Sequence, residues 1–487
     1  MEGAATFDIM LPESDGQPVY QRLYEQIRDR IRSGEIADGA RLPSVRALQD
    51  QLNTSKTPIE TAYQMLIAEG YVVSRPRSGL YVSNPYPAPT PEMTGVPRTP
   101  ESTVGISPAH TLHASSGKQA VIDFDPARLD AEAFPLRIWS KMLREAFEAH
   151  ANEIGNYGDP MGEYGLRAEL ADYLRSSRGV RCTPEQIAVG TGMAHSIDLL
   201  THLLKDVRLV AMEEPGYHLV RNQLQLNGRD IVPIPLGDKG LALDVLEESR
   251  AQAVYVTPSH QFPTGFILPY PERKRLLEWA DRNGAYVIED DYDGEFRYVG
   301  KPIPSLQGLD EQGRVVYIGT FSKAFTPALR MNYMVLPMEL AEQLARMPHE
   351  AACPPARAEQ WAMQRFMAEG HWYRHIRKIR GIYRKKHAHL IGLIHERLGP
   401  RVEITGQNAG LHLQLTLQES RSSDELIGLA AQAGVRVYDL RKMWMDEERR
   451  LSDEPRLYLG FAGLKLKDME KGIRLLEQAW FNPPLPV

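Results

Sequence analysis

Gly319-Thr-Phe-Ser-Lys-Ala-Phe-Thr-Pro-Ala-Leu-Arg330 decides how this chain is read. It follows Arg314-Val-Val-Tyr-Ile318, an apolar run with the length and β-branched content of a buried strand. A lone lysine in a loop is ordinarily solvated surface. Lys323 instead sits among small hydroxyl residues, Thr320 and Ser322, with Arg330 close behind. A lysine partly desolvated near another cation has a lowered pKa, as a Schiff-base amine needs. Arg330 offers a planar fork for a phosphate dianion, and the two hydroxyls add donors.

Two further segments point to the same kind of ligand. Val287-Ile-Glu-Asp-Asp-Tyr-Asp-Gly-Glu-Phe296 sets carboxylates directly after another strand-like run, at the carboxyl edge where α/β sheets hold ligands. A metal centre is the rival reading, but no His or Cys close by completes a ligand set, so no metal is expected. A carboxylate facing a protonated pyridine nitrogen accounts for the cluster better. Val189-Gly-Thr-Gly-Met-Ala-His-Ser-Ile-Asp-Leu-Leu200 is a Gly-containing turn opening a helix, whose free N–H groups favour an anion. Many helix starts look alike, so this segment counts only beside the other two. Ala253-Val-Tyr-Val256 and Ala285-Tyr-Val-Ile288 add strand runs between helical patterns, and that alternation marks an α/β fold with a parallel sheet.

The 487 residues exceed one ordinary domain. A net charge of −6 excludes a global polyanion-binding field, so any nucleic-acid contact needs a local basic patch. Cys182 and Cys353 stand far apart, which fits a reducing compartment and argues against a disulfide framework or zinc ribbon. Met1 to Gly16 lacks the pattern of a signal peptide, and no apolar run has the length of a bilayer span. A cytoplasmic protein without membrane contact is therefore expected. Seven prolines between Pro85 and Pro108 exclude long helices there and mark 85–120 as a flexible linker. In a polyproline-like state it reaches on the order of 100 Å. It separates a small domain, 15–84, from a large one, 121–487, whose last part, from about 385, reads as a smaller α/β subdomain.

In the small domain Leu23, Ile27 and Ile31 form one face of a first helix. Ser44 caps a second helix carrying Val45, Leu48 and Leu52. A third is expected with Thr57 as its cap, Pro58 at its first position, Glu60 completing a capping box and Ile59, Ala62, Tyr63 and Leu66 inside. Tyr71-Val-Val-Ser-Arg-Pro-Arg-Ser-Gly-Leu-Tyr-Val82 then reads as a β-hairpin. A helix, turn and helix followed by a hairpin wing places the third helix in a major groove and the wing arginines on phosphate or a minor groove. On periodicity alone, a three-helix domain that contacts protein is the alternative.

The order of motifs favours DNA. "LYEQIRDRIRSGEI..GARLPSVRAL" and "AYQMLIAEGYVVSRPRSGLYV" resemble the DNA-binding domain of GntR-type regulators. The resemblance implies contacts to double-stranded DNA from Arg46, Ser55, Lys56, Thr57, Arg75, Arg77 and Gly79. Lys56 stands where Arg is usual, and lysine lacks the bidentate fork for guanine. Pro58 replaces a polar residue. The large domain resembles fold-type-I aminotransferases. With "YGDPMGEYGLR" (157–167), "EEPGYH" (213–218), "TPSHQFPTG" (257–265) and "GTFSKAFTPALR" (319–330), the whole chain resembles the MocR subfamily of GntR regulators.

That resemblance implies a winged helix-turn-helix plus a PLP-dependent aminotransferase-like domain, in a homodimer. It implies that Lys323 carries pyridoxal phosphate (PLP), Asp290 pairs with the ring nitrogen, Tyr292 bonds the ring hydroxyl and Tyr217 stacks on the ring. It implies that Gly192, Met193, Ala194, Thr320, Ser322 and Arg330 hold the phosphate, with Tyr157 reaching the neighbouring subunit's phosphate. A plain core or loop aromatic is the alternative for Tyr157 and Tyr217. Phe262 stands where aminotransferases typically have Asn, and Tyr458 about where they have the arginine for a substrate carboxylate; Arg456 or Arg441 would have to replace it. Two functions remain open: a regulator that senses PLP or an amine, and an active aminotransferase with an accessory DNA-binding domain.

Overall fold

The structure is a computed structural model that describes residues 18–68, 71–75, 78–83, 121–237, 240–298, 304–348, 352–418, 420–446, 448 and 455–481. The chain divides into two compact units, Met1–Ala114 and Ser115–Val487. The expected linker, 85–120, lies outside the described residues.

In the first unit each short helix buries one apolar stripe. The helices are α1 (Val19–Arg32), α2 (Val45–Leu52) and α3 (Lys56–Ala68). Leu23, Ile27, Ile31, Leu48, Ile59, Ala62 and Leu66 are fully buried against one another. Ser44 caps α2, its hydroxyl accepting from Ala47 N at 3.1 Å. The third helix corrects the sequence reading. It starts at Lys56, so Thr57 lies in its first turn, and Glu60 pairs with Lys56 at 2.8 Å instead of completing a capping box. An i,i+4 ion pair on the helix surface competes for the same carboxylate. Strands β1 (Val72–Arg75) and β2 (Gly79–Val82) form the antiparallel wing, with Arg75 opposite Gly79.

The second unit is built on an eight-stranded sheet. Its strands are β4 (Ile187–Gly190), β5 (Leu209–Glu214), β6 (Asp230–Gly237), β7 (Gly240–Leu241), β8 (Ala253–Val256), β9 (Tyr286–Asp291), β10 (Val315–Thr320) and β11 (Asn332–Val335), in the order β4-β11-β10-β9-β8-β5-β6-β7. The central strands run parallel and are buried on both faces, as crossover helices require. The sheet is mixed rather than wholly parallel. β11 runs antiparallel to β10 because the connection between them, Phe321–Met331, is too short for a crossover. That short connection carries Lys323.

Helices α4 (Leu136–Ala149), α5 (Tyr164–Arg178), α6 (Met193–Leu203) and α7 (His218–Leu226) belong to this layer. A long helix, His371–Arg397, leads to a second sheet of order β12-β13-β16-β15, with β12 (Val402–Thr405), β13 (His412–Leu417), β15 (Tyr438–Asp439) and β16 (Arg456–Gly460). Strand β3 (Ile122–Asp123) lies far back in the chain but pairs in parallel with β14 (Val435–Arg436). The first described residues of the second unit thus join the C-terminal layer.

The turn bearing Lys323 is anchored by aromatic packing. Phe325 meets Phe134, Trp139, Phe366 and Trp372 at centroid distances of 4.9–6.2 Å. Phe366 is completely buried, so Phe366→Ala is expected to cost about 3–5 kcal/mol. Tryptophan-monitored urea unfolding measures this; a loss below about 1 kcal/mol would mean that the cluster does not hold the turn.

Candidate functional site

The register of β9 against β10 places Ile318 beside Asp290, and both strands end at the same edge. Past the end of β10 the chain makes a single helical turn, Phe321–Ala324, whose cap Thr320 accepts from Ser322 N at 3.0 Å. Lys323 lies in that turn, and its Nζ donates to the Pro126 carbonyl at 2.9 Å. Desolvation lowers its pKa, against the opposing pull of Asp293 and Asp125.

Asp290 is buried at 3% exposure. Its Oδ2 accepts from the Tyr255 hydroxyl at 2.5 Å, while its Oδ1 is buried with no hydrogen-bond partner. Burial pushes this carboxyl up to about 7, with Asp291, Asp293 and Glu213 adding and Tyr255 opposing. A buried acceptor lacking a donor is what a protonated ring nitrogen would satisfy.

The anion end is equally specific. Gly192 precedes α6 at φ +114°, where L side chains are strained, and a Cβ there would lie 2.6 Å from Arg330 Nη2. Gly192 N donates to Asn332 Oδ1 at 2.9 Å, and Asn332 Nδ2 donates to Ser196 Oγ at 2.8 Å. The first N–H groups of α6, from Met193 and Ala194, thus stand with Arg330 around one cradle that a side chain would fill. Both ends, the donorless carboxylate and the side-chain-free cradle, fit PLP.

Other expected residues fall into three groups. Tyr292 and Tyr217 are brought together through Phe262, whose ring lies 6.0 Å from the first and 5.4 Å from the second. Burial pushes the Tyr217 phenol up to about 12, with the Asp290 charge adding. Tyr458 joins them, its ring 6.5 Å from Phe262 and 6.1 Å from His412. Tyr157 is 89% exposed, in a segment fixed by Arg357, which donates to the Asn156 carbonyl at 3.0 Å and to Glu163 at 2.6 Å. Arg456 lines an adjoining cleft of about 1070 Å³ with Thr264 and Gln414. Arg441 is held by Asp424 and Asp439, each within 2.6 Å, and so is engaged away from a ligand carboxylate.

Sequence reading missed Tyr255, Asn332, His260, Asp293 and His412. His260 and Asp293 were visible inside quoted motifs, but nothing in their spacing tells which side of the chain they face. His412 belongs to the second sheet and carries no local signal.

In the first unit Arg46 near the start of α2, and Ser55, Lys56 and Thr57 at the start of α3, are all exposed. On the wing Arg75 and Gly79 are exposed, and the Arg75 guanidinium stacks over Tyr81 at 4.5 Å. Arg77 lies outside the described residues. Among the described residues no helix is long and apolar enough to cross a membrane.

The fold and this edge define an aminotransferase-type domain carried behind a winged helix. Residues 127–474 match the family "Aminotransferase class I and II", and residues 19–82 match "Bacterial regulatory proteins, gntR family". The HTH-type transcriptional regulator YhdI of Bacillus subtilis (strain 168) is 38% identical, over 96% of this chain and 97% of that protein. The probable rhizopine catabolism regulatory protein MocR of Rhizobium meliloti is 32% identical, over 97% and 96%. Among solved structures, LysN, the α-aminoadipate aminotransferase of Thermus thermophilus complexed with a phosphopyridoxyl-leucine, is 26% identical with a TM-score of 0.66, over 74% of this chain and 92% of that one. The chain belongs to the MocR subfamily of GntR-type transcription regulators.

The buried Asp290 gives a pH prediction. Its folded pKa, about 7, exceeds the ordinary 3.8, so its contribution to stability is fully present below 3.8 and is lost as pH rises through 7. In protein free of PLP, Asp290→Asn is expected to stabilise by on the order of 2 kcal/mol at pH 8 and by distinctly less at pH 5. Urea unfolding at the two pH values checks this; an equal effect at both would rule out the buried charge as its cause.

Proposed function

We propose that this protein is a PLP-binding transcription regulator that senses PLP or an amine and controls genes of amino-compound or vitamin B6 metabolism. The observation that carries the reading is one chain holding both an exposed pair of helix starts beside a wing and a sheet edge with Lys323, the buried Asp290 and Arg330. When bound, PLP supplies an electrophilic carbonyl and an electron-withdrawing ring. The chain's own residues do the rest. Lys323, desolvated, presents its amine as the Schiff-base nucleophile. Asp290 keeps a ring nitrogen protonated. Arg330, Thr320, Ser322 and the amides from Gly192 to Ala194 take the phosphate. Tyr217 and Phe262 wall the ring and exclude water, and Tyr292 bonds its hydroxyl oxygen. Tyr157 reaches the phosphate of a second subunit, which makes the working unit a homodimer. Double-stranded DNA is the partner of the first unit, with Arg46 on phosphate.

Tyr458 at the usual place of a carboxylate anchor, and Arg441 tied to two aspartates, favour as effector either PLP itself or an amine without an α-carboxylate. The intact set of Lys323, Asp290 and Tyr292 supports residual transamination as a second reading.

The spectrum of PLP-loaded protein, followed with a panel of amines and amino acids, separates the two. A rapid change that then stops marks a sensor; steady conversion reversed by a keto acid marks an enzyme. Lys323→Ala is expected to abolish the bound cofactor's absorbance band and leave a folded dimer; a retained band refutes its role. Arg46→Ala is expected to weaken binding to all DNA sequences alike and to reduce the salt slope by about one, measured by fluorescence anisotropy. A loss confined to one sequence would contradict a phosphate contact.

A further inference from the structure

We propose that His260, held by Asp293, is a positioning residue that commits the Tyr292 hydroxyl as a hydrogen-bond donor to the oxygen on the cofactor ring. The proposal rests on the cofactor reading above and adds to it the device that sets the direction of one hydrogen bond.

The His260 and Asp293 side chains are only 1% and 2% exposed. His260 Nδ1 lies 2.9 Å from Asp293 Oδ2 and 2.8 Å from the Tyr292 hydroxyl. A carboxylate can only accept, so the shared proton sits on Nδ1. That same N–H faces the Tyr292 oxygen, which therefore accepts; the phenol's own proton is not spent on the histidine, and an anionic ring oxygen competes for it with the Asp293 carboxylate, which also bonds this phenol. With the opposite tautomer Nδ1 would be a bare lone pair, and Tyr292 would turn its proton towards the histidine and away from the ligand. Asp293 selects between these two arrangements.

Two other features fit this tautomer. It makes His260 Nε2 the lone pair, and that atom is buried with no partner. The neighbouring ring, His412, lies 5.2 Å away; burial, His260 and Lys323 push it down to about 3, so it remains neutral beside the pair. The chain also leaves room for the pair. Gly410 sits at φ +78°, and a Cβ there would run into the His260 ring and lie 2.7 Å from Asp293 Oδ2. The arrangement matters because Phe262 occupies the position where related enzymes place an amide donor, which leaves Tyr292 as the phenol on that side. The charged and titratable groups facing the pair are Asp293, Asp290, Glu213, His412 and Lys323.

The test follows the pH titration of the absorbance band in full-length, PLP-loaded protein. A donor on the ring oxygen weakens that oxygen's hold on the proton of the adjacent nitrogen, so losing the donor moves the midpoint to higher pH. His260→Leu and Asp293→Asn are expected to raise it by about one pH unit or more. His260→Asn, whose amide reaches the Nδ1 position, should restore most of the shift; His260→Gln, which reaches the Nε2 position, should not. Tyr292→Phe should raise the midpoint too, and adding His260→Leu to it should raise it no further. Additive shifts would overturn the proposal, because His260 would then act independently of Tyr292. A second readout needs no cofactor. In unloaded protein labelled with 15N-histidine, the signal that His260→Asn removes should be an Nδ1–H tautomer, and an Nε2–H signal overturns the proposal. If wild-type protein forms no band with PLP, the cofactor reading itself fails and takes this inference with it. If the band forms and His260→Leu leaves its midpoint unmoved, only this inference falls.

Discussion

Strand β9, paired in parallel with β10, governs where the acids at 289–291 point. Side chains alternate along a strand, so neighbouring carboxylates face opposite sides of the sheet. Glu289 accepts from the Leu306 and Gln307 amides at 2.8 and 2.9 Å. Asp291 takes both arms of Arg178, at 2.6 and 2.9 Å, and the Tyr317 hydroxyl at 2.6 Å. Asp290, between them, faces Tyr255 and keeps one oxygen without a donor. Of these three consecutive carboxylates, two are thus held by donors of the fold and one keeps an oxygen that a ligand could satisfy.

Much of this was legible in the chain, for physical reasons. The strands Ala253–Val256 and Val315–Thr320, and the first half of Tyr286–Asp291, are buried on both faces, so they appear as apolar runs and need no partner to be recognised. The stripes of α1, α2 and α3 were readable because each helix buries a single face. Lys323 and Arg330 stood out because a one-turn connection leaves little room for anything but the residues that bind. Antiparallel β11 was not legible, since strand direction follows from the length of the preceding connection and leaves no mark on composition. The pairing of β3 with β14 joins residues some three hundred positions apart, and nothing local records it. The His260–Asp293–Tyr292 contact was hidden for a related reason. Two motifs each supply part of it, and only the tertiary fold states that they meet.

The arrangement also bears on whether the domain works as a sensor. Burying Asp290 without a counter-charge costs stability in the unliganded state, and a cationic ring nitrogen would offset that cost on binding. A site of this kind couples occupancy to the conformational equilibrium of its surroundings, because the ligand stabilises only the form that holds it. The surroundings include the C-terminal layer. Glu214, beside the loop that carries Tyr217, accepts from the Met445 and Asp446 amides at 2.6 and 3.0 Å, and Gly216 N donates to the Met443 carbonyl at 3.0 Å. The turn that leads to Tyr217 and the segment before β16 are therefore tied by hydrogen bonds, two to the Glu214 carboxylate and one between backbones.

That tie gives a sensor a physical means which a catalyst does not require. Glu213 and Glu214 end β5, Tyr217 stands just beyond them, and the segment at 443–446 is bonded to Glu214 and Gly216. Meanwhile Arg441, just before that segment, is held by Asp424 and Asp439. A displacement of the backbone at Glu214 and Gly216 would either break these bonds or carry the segment with it. Hydrogen bonds to a buried carboxylate are expensive to leave unmade, so carrying the segment is the cheaper course. A displacement of that strand end by ligand would thus be passed to the segment before β16, and such a link between ligand and conformation is what regulation uses.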